Sequence, residues 1–171
     1  MSKVQLKKML QSMDKAEITS LILEMYDTKK EIKEYLDYVV SPNETEQFAK
    51  AKQIIENEYF PAKGYPKERL SVAKKAISDF SKLKPSPELE AELMIFLVEC
   101  GCRFTHEYGD INEPFYISME KNFERALKFM AKHNLLERFR PNAENCVKWS
   151  SPCGWGFADG IESIFYDFYS E

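Results

Sequence analysis

Leu93-Met94-Ile95-Phe96-Leu97-Val98 is a run of six consecutive apolar residues inside a segment whose pattern otherwise indicates an α-helix. A helix that is apolar almost all round lies in the middle of a protein rather than at its surface. We therefore expect a buried central helix, with bounds at Glu88–His106. Ser86 is expected to cap this helix, with Pro87 at its first position.

The segments on both sides repeat apolar residues at the 3.6-residue period of amphipathic helices, and none alternates as a β-strand does. One apolar face continues through two consecutive helices and consists of Ile18, Leu21, Ile22, Met25, Ile32, Tyr35, Leu36 and Val39. The pattern predicts about eight helices in a single all-α domain over residues 1–171. Two arrangements remain open. The lack of a sequence repeat favours an irregular helical bundle, and the alternative is helical hairpins stacked into a short α-α superhelix.

Local signals predict several helix boundaries. Four residue pairs have the spacing of a capping box, namely Asp14 with Glu17, Thr28 with Glu31, Asn43 with Glu46, and Asp159 with Glu162. Pro66 suits the first turn of a helix. Pro141 is expected to separate one or two turns at Leu135–Phe139 from another short helix at Asn145–Trp149.

The composition indicates a soluble, folded protein. Hydrophobic residues make up 44% of the chain, charged residues make up 30%, and the net charge is −4. This balance supports a packed core and argues against disorder and against a bulk polyanion binder. Residues 1–8 lack the apolar block of a signal peptide, and the run 93–98 is far shorter than the ~20 residues of a membrane span. We expect a cytoplasmic protein that does not enter membranes and keeps its four cysteines as thiols.

Three stretches of the chain together resemble an uncharacterised bacterial family of small helical proteins, a domain of unknown function. They are Met1-Ser2-Lys3 with Leu6-Lys7-Lys8-Met9-Leu10, Lys67-Glu68-Arg69-Leu70-Ser71-Val72-Ala73-Lys74-Lys75, and Gly154-Trp155-Gly156-Phe157-Ala158-Asp159. The resemblance covers the whole chain. It implies a compact helical protein and supplies neither an activity nor site residues.

A basic stretch stands out within this acidic chain. Residues 62–84 carry seven basic residues against two acidic ones, a local charge of +5. We name as the basic face Lys67, Arg69, Lys74, Lys75 and Lys82. An exposed basic face is typical of proteins that bind phosphate-rich partners such as nucleic acid. A solvated surface, or pairing with the acidic segment 141–171, explains the charges equally well.

The loop Pro152-Cys153-Gly154-Trp155-Gly156-Phe157 is the least ordinary local feature. Glycines on both sides of Trp155 let its ring be placed freely. Tryptophan is enriched at interface hot spots, so Trp155 and Phe157 are candidate contacts for a protein partner or a second copy of the chain. The alternative, which we favour, is that both rings close the end of the core. The final helix could add an exposed aromatic patch from Tyr166, Phe168 and Tyr169.

Metal and nucleophile chemistry have weak support. Cys102 and His106 are four residues apart on the central helix, and Cys146 and Cys153 could complete a tetrahedral zinc set. Close Cys-x-x-Cys pairs are absent, so we expect no metal and no other cofactor. Cys153 with His106 or His133 is the one Cys–His nucleophile arrangement to consider. The acid pairs Glu88/Glu92 and Glu99/Glu107 are expected to be solvated.

The sequence therefore favours binding over catalysis, because no catalytic triad, metal cluster or phosphate loop can be identified in it. The first hypothesis is a non-enzymatic cytoplasmic protein-interaction module, whose partner is an unidentified protein or a second copy. The alternative is binding of nucleic acid or another phosphate-rich partner through the basic helix predicted over 67–82. An enzyme is the third hypothesis.

Overall fold

The structure is a computed structural model that describes residues 2–169. These residues form nine α-helices and no β-strand, which confirms the all-α prediction. The helices are α1 (Lys3–Ser12), α2 (Lys15–Thr28), α3 (Lys30–Val40), α4 (Glu44–Tyr59), α5 (Leu70–Lys82), α6 (Pro87–Tyr108), α7 (Glu113–Lys132), α8 (Leu136–Ser150) and α9 (Phe157–Tyr169). None of these described helices combines the length and the apolar character that a membrane crossing requires.

The chain divides into two compact units, Met1–Asn43 and Glu44–Glu171. In the first unit, α2 and α3 pack against each other. The predicted capping box of Asp14 and Glu17 is present at the start of α2. None of the described residues in α1, α2 and α3 is buried. The apolar face predicted for this region is therefore half-buried at best, and Ile22, Met25, Tyr35 and Val39 are exposed.

In the second unit, α6 packs against α4, α5, α7 and α8. Five of the six residues in the run 93–98 are buried, and Phe96 is half-buried beneath the Lys52 ammonium, which lies 4.7 Å from its ring centroid. The prediction of a central buried helix is thus confirmed, with bounds slightly wider than Glu88–His106. Packing around one helix makes this unit a bundle rather than a stack of hairpins.

Several predicted helix starts differ in the structure. Thr28 ends α2 instead of capping α3. Asp159 lies within the first turn of α9, since that helix begins two residues earlier. Ser86 and Pro87 hold the predicted positions at the start of α6, but the Ser86 side chain makes no capping hydrogen bond. Its backbone amide donates to Glu44 Oε1 at 3.1 Å instead.

The predicted break at Pro141 is wrong, because α8 continues through it from Leu136 to Ser150. Proline lacks the amide that would complete one intrahelical hydrogen bond. Pro141 is exposed, while Phe139, Ala143 and Cys146 are buried and α8 packs on both α6 and α9. Packing on these two helices outweighs the missing bond. Pro66 also lies outside a helix, four residues before α5 begins.

Tyr59, at the end of α4, is fully buried in the core of the second unit. Its ring meets Phe104 and Phe115 edge-on, with centroids 5.9 and 6.5 Å away. The Tyr59 hydroxyl has no hydrogen-bond partner among residues 2–169, and burial raises the pKa of this phenol. This hydroxyl is an unfavourable polar group in an otherwise apolar core.

Candidate functional site

The loop of residues 151–156, between α8 and α9, presents Trp155 to solvent. The Trp155 side chain is 73% exposed, and its backbone has a φ of 57°. Phe157, two residues later, is fully buried and stacks on Tyr116 with ring centroids 4.3 Å apart. Phe157 thus closes the core and is not available to a partner. The interpretation that both rings close the core does not hold for Trp155.

The Asp110 carboxylate connects this loop to α7 through hydrogen bonds. Asp110 Oδ1 accepts hydrogen bonds from the Tyr116 hydroxyl at 2.6 Å and from the Gly154 amide at 3.0 Å. These two bonds hold the pKa of Asp110 below its usual value. The Tyr116 oxygen also lies 2.7 Å from Thr105 Oγ1, and it accepts the Ile111 amide at 3.2 Å. Residues from α6, α7 and two loops therefore form one polar network beneath Trp155.

Glycine is favoured at positions 154 and 156 of the loop for two different steric reasons. A Cβ at Gly154 would lie 3.0 Å from Asp110 Oδ2, so only glycine allows this close approach without displacing the carboxylate. Gly156 has a φ of 76°, in the left-handed region where other residues are strained. Both glycines thus support the backbone path that presents Trp155.

Cys153 lies in the same network but is not set up as a nucleophile. Its thiol lies 3.6 Å from Thr105 Oγ1, and burial raises the pKa of the Cys153 thiol. A nucleophilic cysteine requires the opposite shift. His106 is exposed, and His133 lies against the Phe129 ring with centroids 4.5 Å apart. The structure does not assemble the Cys–His arrangement considered from the sequence.

The four candidate zinc ligands are also not assembled. Cys102 and Cys146 are fully buried, whereas His106 is exposed. Within residues 2–169, no group of three or more His, Cys, Asp or Glu side chains is placed to hold a metal ion. All four cysteines are free, and burial raises the pKa of Cys146 and of Cys100, the latter to about 12.

The basic face differs from its prediction because Lys67 and Arg69 precede α5. The Arg69 guanidinium binds the Glu58 carboxylate twice, at 2.7 Å from Nη2 to Oε1 and at 3.0 Å from Nε to Oε2. The Arg69 amide adds a third bond to Oε2 at 3.1 Å. Glu58 is buried, and these bonds hold its pKa below the usual value. Arg69 is therefore tied to the fold through a buried carboxylate, although its own side chain is exposed.

Two further members of the basic face share one carboxylate. Lys75 and Lys82 each lie within ion-pair distance of Asp79, at 2.5 and 2.7 Å, and together they lower the pKa of Asp79. Within residues 2–169, both cations pair with Asp79 of their own helix; residues 170 and 171 of the acidic segment 141–171 lie outside the described residues. Lys67 and Lys74 have no ion pair among residues 2–169.

The aromatic patch predicted on the last helix is reduced to one ring. Tyr169 is buried, its hydroxyl donates to the Leu136 carbonyl at 2.9 Å, and the Arg140 guanidinium lies 4.7 Å from its ring centroid. Phe168 is half-buried, and only Tyr166 is exposed. The final helix is therefore mainly a packing element of the second unit.

Sequence reasoning missed the environment of Glu99. Expected to be solvated, Glu99 is half-buried and accepts hydrogen bonds from Asn142 Nδ2 at 3.0 Å and Asn145 Nδ2 at 3.5 Å. Burial raises the pKa of Glu99. The three-residue spacing of two asparagines on one helix face is the signal that could have indicated a shared partner. Glu107 behaves as predicted, pairing with Arg103 at the surface at 3.0 Å.

The structure so far defines an all-helical chain whose second unit displays one braced, exposed tryptophan. A family model described as a family of unknown function (DUF6155) matches residues 1–168, and the chain therefore belongs to that family. This membership confirms the resemblance drawn from the sequence to a domain of unknown function. No curated protein and no solved structure matches the chain.

Proposed function

We propose that this chain is a non-enzymatic protein-interaction module of the bacterial cytoplasm, in which Trp155 anchors a protein partner or a second copy. The observation that carries the proposal is the 73% exposed indole on a loop with a left-handed backbone. Backbone strain at one residue costs about 1–2 kcal/mol. Because the Trp155 ring stays in water, its burial does not offset this backbone strain. Backbone strain of this kind is concentrated at functional sites.

The energy available from covering Trp155 is large enough for an interface anchor. A tryptophan buries about 150–250 Å² when it is fully covered. Covering the exposed part of this ring therefore removes about 150 Å² from water and yields about 4 kcal/mol before the costs of association. Values of this size are characteristic of interface hot spots.

The network around Asp110 reduces the entropy that binding would otherwise cost. The Gly154 amide is fixed by Asp110, and Phe157 is locked in the core against Tyr116. The loop on both sides of Trp155 is therefore ordered before a partner arrives. Preorganisation of this kind strengthens binding because less conformational freedom is lost on association.

The first unit supplies a second, independent support. Its described helices bury no residue, and the large apolar side chains that remain exposed in α2 and α3 are Ile22, Leu23, Met25, Tyr35, Val39 and Val40. Exposed apolar side chains that share one helix face, as Ile22 and Met25 do on α2, are typical of an interaction site. This observation favours an interaction role without identifying what covers the face.

The proposal is tested by a photo-crosslinking amino acid placed at position 155 and, as a matched control, at Tyr65. Tyr65 is another loop aromatic of the second unit and is 90% exposed. We expect defined crosslinks, to a second copy or to one cellular protein, from position 155 only. Sedimentation velocity of the wild type, Trp155→Ala and Tyr65→Ala then identifies self-association. Equal crosslinking from both positions, or none from position 155, would refute the proposal.

The alternative function, nucleic-acid binding through the basic face, has weaker support. Arg69, Lys75 and Lys82 are engaged by Glu58 and Asp79, so fewer charges remain for phosphates. A gel shift with mixed RNA and DNA at two salt concentrations tests it, since phosphate contacts weaken steeply as salt rises. Binding at low salt that is lost in Lys74→Met would favour the alternative.

A further inference from the structure

A ligand-sized groove lies beside the shortened basic face. The helices α5 and α7 both pack on α6, and a groove of about 490 Å³ is lined by residues from all three helices. Its lining includes Lys74 and Ser78 of α5, Met94 of α6, and Asn122 and Arg125 of α7. Pockets of about 300–1,000 Å³ are typical of small-molecule sites.

The charges around this groove leave two cations unneutralised. Lys75 and Lys82 are held by Asp79. By contrast, Lys74 and Arg125 have no ion pair within the part of the chain that the structure describes. The groove is lined by four basic residues and two acidic ones, Asp79 and Glu90. An unpaired Arg fork and a Lys ammonium that line one groove are well suited to the oxygens of a phosphate.

A smaller, apolar part of the lining suits an apolar group attached to that phosphate. Met94 and Leu97 are buried residues of α6 that contribute apolar surface to the groove. Asn122 is also buried, and its side-chain amide is fixed by a hydrogen bond to the Ser118 carbonyl at 2.6 Å. Most of the lining is polar, and its apolar residues are Ile77, Met94 and Leu97. Polar groups at fixed positions are what orient a ligand in a small-molecule site.

We propose that this groove binds a small organic phosphate, with the phosphate bound by Lys74 and Arg125 and the apolar body against Met94. The groove is formed by α5, α6 and α7, whereas Trp155 lies in the loop between α8 and α9. The proposed phosphate site does not depend on the interaction role. It overlaps the predicted basic face at Lys74, Lys75 and Lys82 but extends beyond it, because Arg125 and Asn122 belong to α7.

The test is a titration of the full chain with phenyl phosphate, followed by nitrogen–proton correlation NMR. Inorganic phosphate and phenol are titrated in parallel, since each carries only half of the proposed chemistry. The variants are Lys74→Met and Arg125→Met. The matched control is Lys121→Met, which removes an exposed α7 cation that also has no ion pair among the described residues but does not line the groove.

We expect saturable shifts confined to residues of the groove, with phenyl phosphate binding more tightly than inorganic phosphate or phenol. Losing one charge-assisted contact weakens binding by about tenfold or more, so Lys74→Met and Arg125→Met should each show such a loss. Lys121→Met should bind as the wild type does. No saturable shift in the groove, or an equal loss in all three variants, would overturn the proposal. Tighter binding of an RNA or DNA oligomer at the same residues would also overturn it, in favour of a nucleic-acid interface.

Discussion

Replacing Arg69 by methionine should destabilise the second unit, although Arg69 was predicted to belong to a binding surface. The change removes both guanidinium hydrogen bonds to the Glu58 carboxylate. Of the three observed donors, the backbone amide of residue 69 remains. Breaking a fully buried ion pair costs about 3–5 kcal/mol, and an exposed pair is worth about 1 kcal/mol or less. The Glu58 side chain is 6% exposed but that of Arg69 is 53% exposed. We therefore expect a loss of about 2 kcal/mol.

The pH dependence of this loss has a defined sign. In the wild type, Arg69 holds the pKa of Glu58 below its usual value, so the pair stabilises the fold above the pKa of the unfolded chain. This stabilisation disappears as the pH falls through the lowered folded pKa. In Arg69→Met, burial is opposed by the amide of residue 69 and by the Lys67 charge, and the penalty is relieved when Glu58 takes up a proton. The stability difference between the two proteins should therefore be largest near neutral pH and should shrink in acid.

The assay is urea unfolding and thermal unfolding followed by circular dichroism at several pH values. The expected loss corresponds to a thermal midpoint lowered by roughly 5–10 °C at neutral pH. Lys74→Met is the control, since it removes an unpaired surface cation and should change stability by less than about 0.5 kcal/mol. Adding Glu58→Gln to Arg69→Met should recover part of the loss. An Arg69→Met protein as stable as the control at neutral pH would refute the reasoning.

Three further changes test the core and the loop network. Tyr59→Phe removes a buried hydroxyl without a partner among the described residues, and should leave stability unchanged or raise it by about 1 kcal/mol in urea unfolding. Tyr116→Phe removes the hydroxyl bond to Asp110 and should cost about 1–2 kcal/mol in the same assay, so an unchanged midpoint would contradict the network. Gly154→Ala places a Cβ 3.0 Å from Asp110 Oδ2, and should increase the rotational freedom of Trp155 in fluorescence anisotropy. Equal anisotropy in Gly154→Ala and the wild type would show that the loop is not braced there.

The architecture was largely predictable because it follows from apolar periodicity. The run 93–98 indicated the central helix, and the capping box at Asp14 indicated the start of α2. Local signals failed where tertiary packing decides the outcome. The break expected at Pro141 ignores the packing of α8 on two helices, which a local rule about a missing amide cannot weigh.

The candidate site was only partly predictable because exposure and pairing depend on distant residues. The sequence singled out the Trp155 loop through its glycines, but it could not decide which aromatic ring is buried. That choice depends on Tyr116, which stacks on Phe157 from another helix. The basic face is smaller than predicted for a similar reason, since Glu58, the partner of Arg69, lies eleven residues earlier in α4.

The accessibility and mobility of the Trp155 ring test the central claim most directly. Trp149→Phe leaves Trp155 as the one fluorescent tryptophan, so acrylamide quenching and anisotropy report on this ring alone. We predict that dilute protein shows strong quenching together with slow rotation, and that quenching decreases when a partner or a second copy binds. A ring that is shielded in the dilute protein, or one that rotates freely in the folded chain, would contradict the account.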